Sequence, residues 1–301
     1  MKSIRSVNKR KVQKQLPYLI MFLPFAVIFT VFNILPVLSS VALSMTDFNL
    51  VKIQHFVGLS NYINLFFSDD VFMIALKNTL ILALITGPIG FIMSFVIAWL
   101  INELNRRLRS IIMLIVYSPA LTGSIYFIWQ YIFSSDSRGL LNDWMIKLGL
   151  ISDPITWLTD KQYNFTVVII VTVWMSFGTG FLSFIAGLQA MDRSYYEAAA
   201  IDGLKNRWQE LYYVTFPQMG PQLLFGAVMS ISGAFAVGAV NQHLTGFPSA
   251  EYSTHTILLH MADFANNRYE MGYASAIAVV LFGLMVLVWL LMRRVLKKFT
   301  G

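Results

Sequence analysis

Few side chains in this chain of 301 residues are of the kinds that do covalent chemistry. Cysteine is absent, so no thiol nucleophile, disulfide framework or cysteine-ligated metal site is available. The four histidines are His55, His243, His255 and His260. His255 and His260 stand five apart, a spacing that does not align two ligands on one helical face. No nucleophile–histidine–carboxylate arrangement is present, so neither a catalytic nor a metal site is expected. Asp69-Asp70 reads as a solvated acidic pair. The phosphate-cradling pattern Gly-x-x-x-x-Gly-Lys-Ser/Thr is missing, and Gly87-Pro88-Ile89-Gly90 lacks the lysine. The expectation is a chain that is not an enzyme and binds no cofactor itself.

The informative polar stretch is residues 197–217, an island in an otherwise apolar chain. Ser194-x-x-Glu197 reads as a capping box that starts a short helix. Gly203 stands where a left-handed turn would stop that helix. Asn206, with Gln209 three residues on, can cap a second short helix, and Pro217 suits the first turn of the apolar helix that follows. Helix, sharp turn, helix and span make a compact knob suited to docking into a partner.

The knob resembles the Glu-Ala-Ala loop of binding-protein-dependent ABC importer permeases. Glu197, Ala198, Ala199, Gly203, Val214 and Pro217 match that pattern. Two departures stand out: Phe216 replaces the usual leucine, and ten residues rather than nine separate Gly203 from Val214. The extra residue is expected to rotate or loosen the second short helix. Pro17-Tyr18-Leu19, Phe56-Val57-Gly58-Leu59-Ser60-Asn61-Tyr62 and Lys77-Asn78-Thr79-Leu80 extend the likeness to the first permease subunit of sugar importers.

The resemblance implies an all-α polytopic membrane protein with the type I importer permease fold. It implies six spans and a cytoplasmic coupling loop over 190–216. Glu197, Ala198, Ala199, Asp202, Gly203, Leu204 and Pro217 would couple to an ATPase dimer that holds ATP–Mg. A second permease subunit, an extracytoplasmic solute-binding protein and a carbohydrate complete the implied assembly, with polyol or glycerol phosphate as other substrates within the family.

Composition points to a membrane without any resemblance. Hydrophobic residues make up 57%, charged residues 12%, and mean hydropathy is +0.64. A soluble domain carries roughly 25% charged residues. Six stretches are long and apolar enough to span, near 17–45, 72–102, 110–133, 164–189, 217–241 and 272–292, taking about 20 residues as the minimum. They form one transmembrane domain, about 17–301, behind a basic segment, about 1–16. The first apolar run is too long for a signal peptide, so a retained anchor is expected.

Lys and Arg set the orientation. Sixteen of the 22 basic residues fall in segments 1–16, 103–109, 190–216 and 293–301, and ten of the fifteen acidic residues fall in the intervening loops. This places both termini and the 190–216 loop in the cytoplasm of a bacterial cell. The net charge of +7 is thus read as a positive-inside anchor rather than a nucleic-acid surface. No Asp, Glu, Lys or Arg lies at a span centre, and Lys77 sits at an edge where it can snorkel. That argues against an ion-coupled carrier, which usually keeps ionisable groups at membrane depth. A non-transporting scaffold or sensor is a third reading.

Sugars offer hydroxyls and apolar C–H faces, so polar and aromatic side chains in spans are candidate contacts. These are Trp174, Ser176, Phe177 and Thr179 in the fourth span, Asn241 and Gln242 ending the fifth, and Tyr126 in the third. Trp129 and Tyr131 suit an interfacial aromatic belt. Gly226, Ser230, Ala234 and Gly238 form a small-residue ridge that permits close helix approach. Leu140–Leu148, within the long loop 134–163, reads as an amphipathic surface helix.

Overall fold

The computed structural model of the protein describes residues 2–51, 55–122 and 125–300, with side chains over 15–51, 55–122 and 125–294. The basic side chains of 1–14, Lys52, Lys297 and Lys298 therefore lie outside the described residues. Helix dominates, and an isolated bridge joins Thr46 to Phe56.

The first apolar segment is α1 (Lys2–Phe29), a π-turn (Thr30–Ile34) and α2 (Leu35–Leu43). Pro36 explains the π-turn: its ring cannot coexist with a tight carbonyl four residues back, and the wider turn bonds Leu35 N–H to Thr30 C=O instead. The helix already runs from Lys2, so Pro17 lies inside it, near the start of the apolar span Gln15–Leu43. The apolar side chains of this span are exposed along most of its length, as a lipid- or partner-facing helix requires.

A short helix, α3 (Ser60–Phe67), leads to α4 (Asp70–Asn102), which at ~1.5 Å per residue is about 50 Å long. The Asp69 carboxylate caps α4 by accepting Phe72 N–H at 2.9 Å. The third apolar stretch is two helices, α5 (Arg106–Leu121) and α6 (Tyr126–Ile132), at 93° to each other, so it is bent rather than straight. Beyond it, α7 (Leu140–Lys147) belongs to a folded cap built on buried Asn142. The Asn142 amide donates to the carbonyls of Ser134, Asp136 and Ile155, and its oxygen accepts from Ile155 N–H and Trp157 Nε1–H.

The fourth span runs Asn164–Ala190 and is interrupted between α8 (Asn164–Trp174) and α9 (Thr179–Ala190). The elbow follows as α10 (Ser194–Ile201), α11 (Arg207–Glu210), a π-turn (Leu211–Thr215) and α12 (Phe216–Gln218). The fifth span is α13 (Gly220–Phe235) and α14 (Ala239–Thr245), bent by 40°. It is Pro221, in the first turn of α13, that opens this span; Pro217 belongs to the helical arm before it. Then come α15 (Ile257–Ala262) and α16 (Met271–Thr300). Among the described residues, four helices and two bent pairs are long and apolar enough to cross a membrane.

Three apolar clusters hold these helices together. One joins α4 to α9 and α13 through Phe95, Phe181, Phe184, Met219 and Leu223. A second joins α4, α13, α15 and α16 through Phe72, Phe235, Ile257 and Ile277. The third packs Leu82 and Phe133 on Val168 and Val171 of α8. The ridge of α13 is part of this packing: Gly226 lies under the Phe184 ring, Ala234 faces Gly87, and Gly238 meets Leu258.

Candidate functional site

Two places concentrate the sequence candidates: the elbow and a cavity between the broken spans. In the elbow, Asp192 rather than Ser194 starts the first helix. Its carboxylate accepts Ser194 N–H at 3.0 Å, and those bonds from Ser194 hold its pKa below the usual carboxylate range. Ser194 is already helical and makes no capping bond, so the expected Ser194–Glu197 box is not formed. Glu197, Ala198 and Asp202 are exposed, whereas Ala199 is buried.

Gly203 ends the helix with φ +96°, and its C–H faces open space. Gly203 N–H bonds Ala200 C=O at 3.2 Å and Leu204 N–H bonds Ala199 C=O at 3.0 Å. This paired pattern is the glycine-ended helix stop expected from the sequence. Asn206 caps the second arm by accepting Gln209 N–H at 2.9 Å, and Gln209 Oε1 accepts Lys205 N–H at 2.8 Å. The tenth residue between Gly203 and Val214 neither loosens nor frays this arm. A π-turn takes it up, leaving a continuous helix with Leu211, Val214 and Thr215 buried. The Tyr196 and Thr215 hydroxyls, 3.0 Å apart, tie the two arms together.

The cavity, of about 260 Å³, opens where α8/α9 and α13/α14 are interrupted. Met175–Gly178 and Ala236–Gly238, the residues of the two breaks, line it except for Phe177. Non-helical backbone at membrane depth is tolerated where it faces a water-filled cavity rather than lipid. At the first break the Ser176 hydroxyl donates to Val173 C=O at 2.6 Å, and α4 comes so near at Gly90 that a Cβ there would meet Ser176 Oγ at 2.7 Å.

Tyr126, Ser176 and Thr179 line the cavity as candidate contacts. Trp174 does not: it packs edge-on against Trp129. Phe177 is buried against Phe181. Asn241 is fully buried and bonds Thr254 C=O, while Gln242 points away, exposed. These four were candidates by residue type alone, which does not say which face of a span a side chain occupies. Trp129 likewise packs inward on Phe133 and Trp174, while Tyr131 stays exposed.

The sequence reading missed Thr86, Ser94, Thr172 and Ser230 in the lining. Their signal is weak because a hydroxyl in a helix is often satisfied by its own turn, as Thr86 is by Leu82 C=O at 2.8 Å. The Thr172 hydroxyl is buried without a partner.

A further polar cluster also escaped notice. His255 precedes α15 rather than lying on it, so its Nε2 reaches His260 Nδ1 at 3.2 Å. His260 Nε2 in turn meets Asp69 Oδ2 at 2.9 Å, and the Tyr273 hydroxyl donates to the same oxygen at 2.9 Å. Asp69 is thus a partly buried hub and not a solvated acid, whereas Asp70 stays exposed. Burial raises its pKa, but the bonds from Phe72 N–H, His260 and Tyr273 prevail and hold it low. No group of three or more His, Cys, Asp or Glu among the described residues is arranged to hold a metal ion.

Residues 87–301 match the family described as binding-protein-dependent transport system inner membrane component. The lactose transport system permease protein LacF of Rhizobium radiobacter is 29% identical over 262 residues, 86% of each chain. The arabinooligosaccharides transport system permease protein AraP of Bacillus subtilis (strain 168) is 30% identical over 293 residues, 96% of this chain and 91% of that one. In fold, the chain is similar to a subunit of a bacterial ABC transporter that imports the acidic polysaccharide alginate. The TM-score is 0.78 at 22% identity, over 97% of this chain and 99% of that one. The chain belongs to the family of inner membrane components of binding-protein-dependent transport systems.

Proposed function

We propose that the chain is the membrane-spanning subunit of an ATP-driven importer for a sugar or oligosaccharide. One observation carries this reading: an exposed helix–turn–helix elbow connects directly to the two interrupted spans that line the cavity. The lining offers Ser, Thr and Tyr hydroxyls with the Phe181 ring, a mixture suited to sugar hydroxyls and C–H faces. It includes no Asp, Glu, Lys or Arg among the described residues, which sets this reading above an ion-driven carrier.

In this assembly a second permease completes the pathway and an ATPase dimer holds ATP–Mg. Glu197, Ala198, Ala199, Asp202, Gly203, Leu204 and Pro217 form the coupling surface in the cytoplasm, on the side of both termini. ATP binding closes the ATPase dimer and draws the elbows together. The spans rock from inward- to outward-facing, and an extracytoplasmic binding protein delivers sugar to the cavity. Tyr126, Ser176 and Thr179, with Thr172 and Ser230, contact it there. The relatives named for lactose and for arabinooligosaccharides support a carbohydrate cargo.

The test is reconstitution of the whole complex with Gly203→Pro or with residues 197–203 scrambled. Loss of sugar uptake and of ATPase stimulation by binding protein is expected. Unchanged uptake and stimulation would refute the coupling role.

A further inference from the structure

The second arm of the elbow does more than lead into α13. It lies along the elbow end of α4 and meets it at three levels. The Phe95 and Phe216 rings stack with centroids 5.2 Å apart. The Trp99 and Trp208 rings are 5.4 Å apart. Glu103 Oε2 accepts from Arg207 Nη2 at 2.8 Å, and Arg207 also bonds Glu210. Residues 95, 99 and 103 recur every fourth position, so the three levels follow one stripe of α4 that turns by about 40° per step.

On the arm, Trp208 and Phe216 are eight residues apart, which in an uninterrupted α-helix would set them about 80° apart. The π-turn between them rotates the chain less per residue and brings them back toward one face. Around this ladder of contacts Phe95, Ala98, Ile101 and Leu211 are buried in one cluster, so the contact is packed along its inner side.

Above the ladder α4 is itself cavity wall: Ser94 adjoins Phe95, and Thr86 lies farther along. Resting on the ATP-driven import reading, we infer that the elbow and the lower half of α4 move as one rigid body. The 95/99/103 face then carries the docking stroke to the cavity wall independently of the covalent link to α13. Trp99 is a positioning residue in this scheme: it does not line the cavity between the broken spans, it borders the polar pocket behind Glu197, and it acts through Trp208. The outer ion pair, largely exposed, sets register and adds little grip.

The full complex in proteoliposomes supplies the test, with sugar moved per ATP hydrolysed as the readout. Trp99→Ala should lower that ratio roughly fivefold or more, the scale of an ordinary coupling loss, with the ATPase still co-purifying. Trp99→Phe should restore it. The chain has no native cysteine, so Trp99→Cys with Trp208→Cys gives its sole thiol pair, joined by a short bis-methanethiosulfonate in a complex whose other subunits lack reactive thiols. In the unlinked double variant the ratio should fall as in Trp99→Ala, and joining the two should raise it back toward that of the unaltered complex. Uptake arrested by the cross-link and restored by reduction would show the elbow sliding over α4 and overturn the inference, as would an unchanged ratio in Trp99→Ala. Failure of the import reading would show separately, as no ATP-driven uptake by the unaltered complex.

Discussion

Gly226 of α13 lies beneath the Phe184 ring of α9 so closely that a Cβ added to it would sit 2.1 Å from Cζ. The ring cannot easily retreat, because Phe184 is fully buried and edged by Phe91 and Phe95 at 5.4 and 5.5 Å between centroids. Gly226→Ala is expected to destabilise the bundle by about 1–3 kcal/mol, the usual range for overpacking. Thermal unfolding of the purified chain in detergent checks this. Gly233→Ala on the same helix meets nothing within 4 Å and serves as the control, expected to leave the midpoint unchanged.

At Gly203 the cost of a side chain is purely conformational, since φ is +96° and the space around it is open. Gly203→Ala should cost about 1–2 kcal/mol and Gly203→Asn less, because asparagine tolerates the left-handed region. Order of binding to the ATPase, with glycine ahead of asparagine ahead of alanine, is the expected result. Equal binding by all three would remove the turn from the coupling surface.

His255 makes stability depend on pH. Burial of its ring, with His260 beside it, pushes its pKa down from 6.5 to about 4, against the pull of Asp263 and Asp69 and with a smaller push from Arg268. Folded protein therefore refuses a proton that the unfolded chain accepts below about 6.5. Stability should be greatest above that pH, fall between about 6.5 and 4 by up to ~3 kcal/mol, and then level off for this group. Asp69, with its pKa held low, adds a further loss below about 3.9. His255→Gln, which keeps an N–H for His260, should flatten the slope between pH 6.5 and 4 in melting curves.

Asn142 is the hub of the cap over 134–157, and both ends of its amide are used. Asn142→Asp keeps the shape but removes the donors to three carbonyls and sets a carboxylate against them. A loss of about 2–4 kcal/mol is expected, as for a buried polar group left unsatisfied. Limited proteolysis within 134–160 reads the cap directly, and undiminished protection would contradict this role.

Local features were legible because their causes are local. The apolar runs picked out by hydropathy coincide with helices among the described residues, since a bilayer demands long apolar runs whatever their partners. Gly203 and Asn206 announced the elbow because a left-handed turn and an N-cap are satisfied within five residues of chain. The Ser194 capping box failed for an equally local reason: Asp192, two residues earlier, took the N–H first.

What the sequence by itself determined is thus the membrane class, the number of apolar segments and the helix–turn–helix elbow between the fourth and fifth. Tertiary structure alone decided which face of each broken span lines the cavity. It also decided that Asp69 meets His260 across 191 positions of chain, and that the elbow is laddered onto α4 more than 100 positions earlier. Periodicity reports the neighbours of a residue along one regular helix. A break, a π-turn or a second helix resets which side chains face each other, and those pairings exist only once the helices have packed.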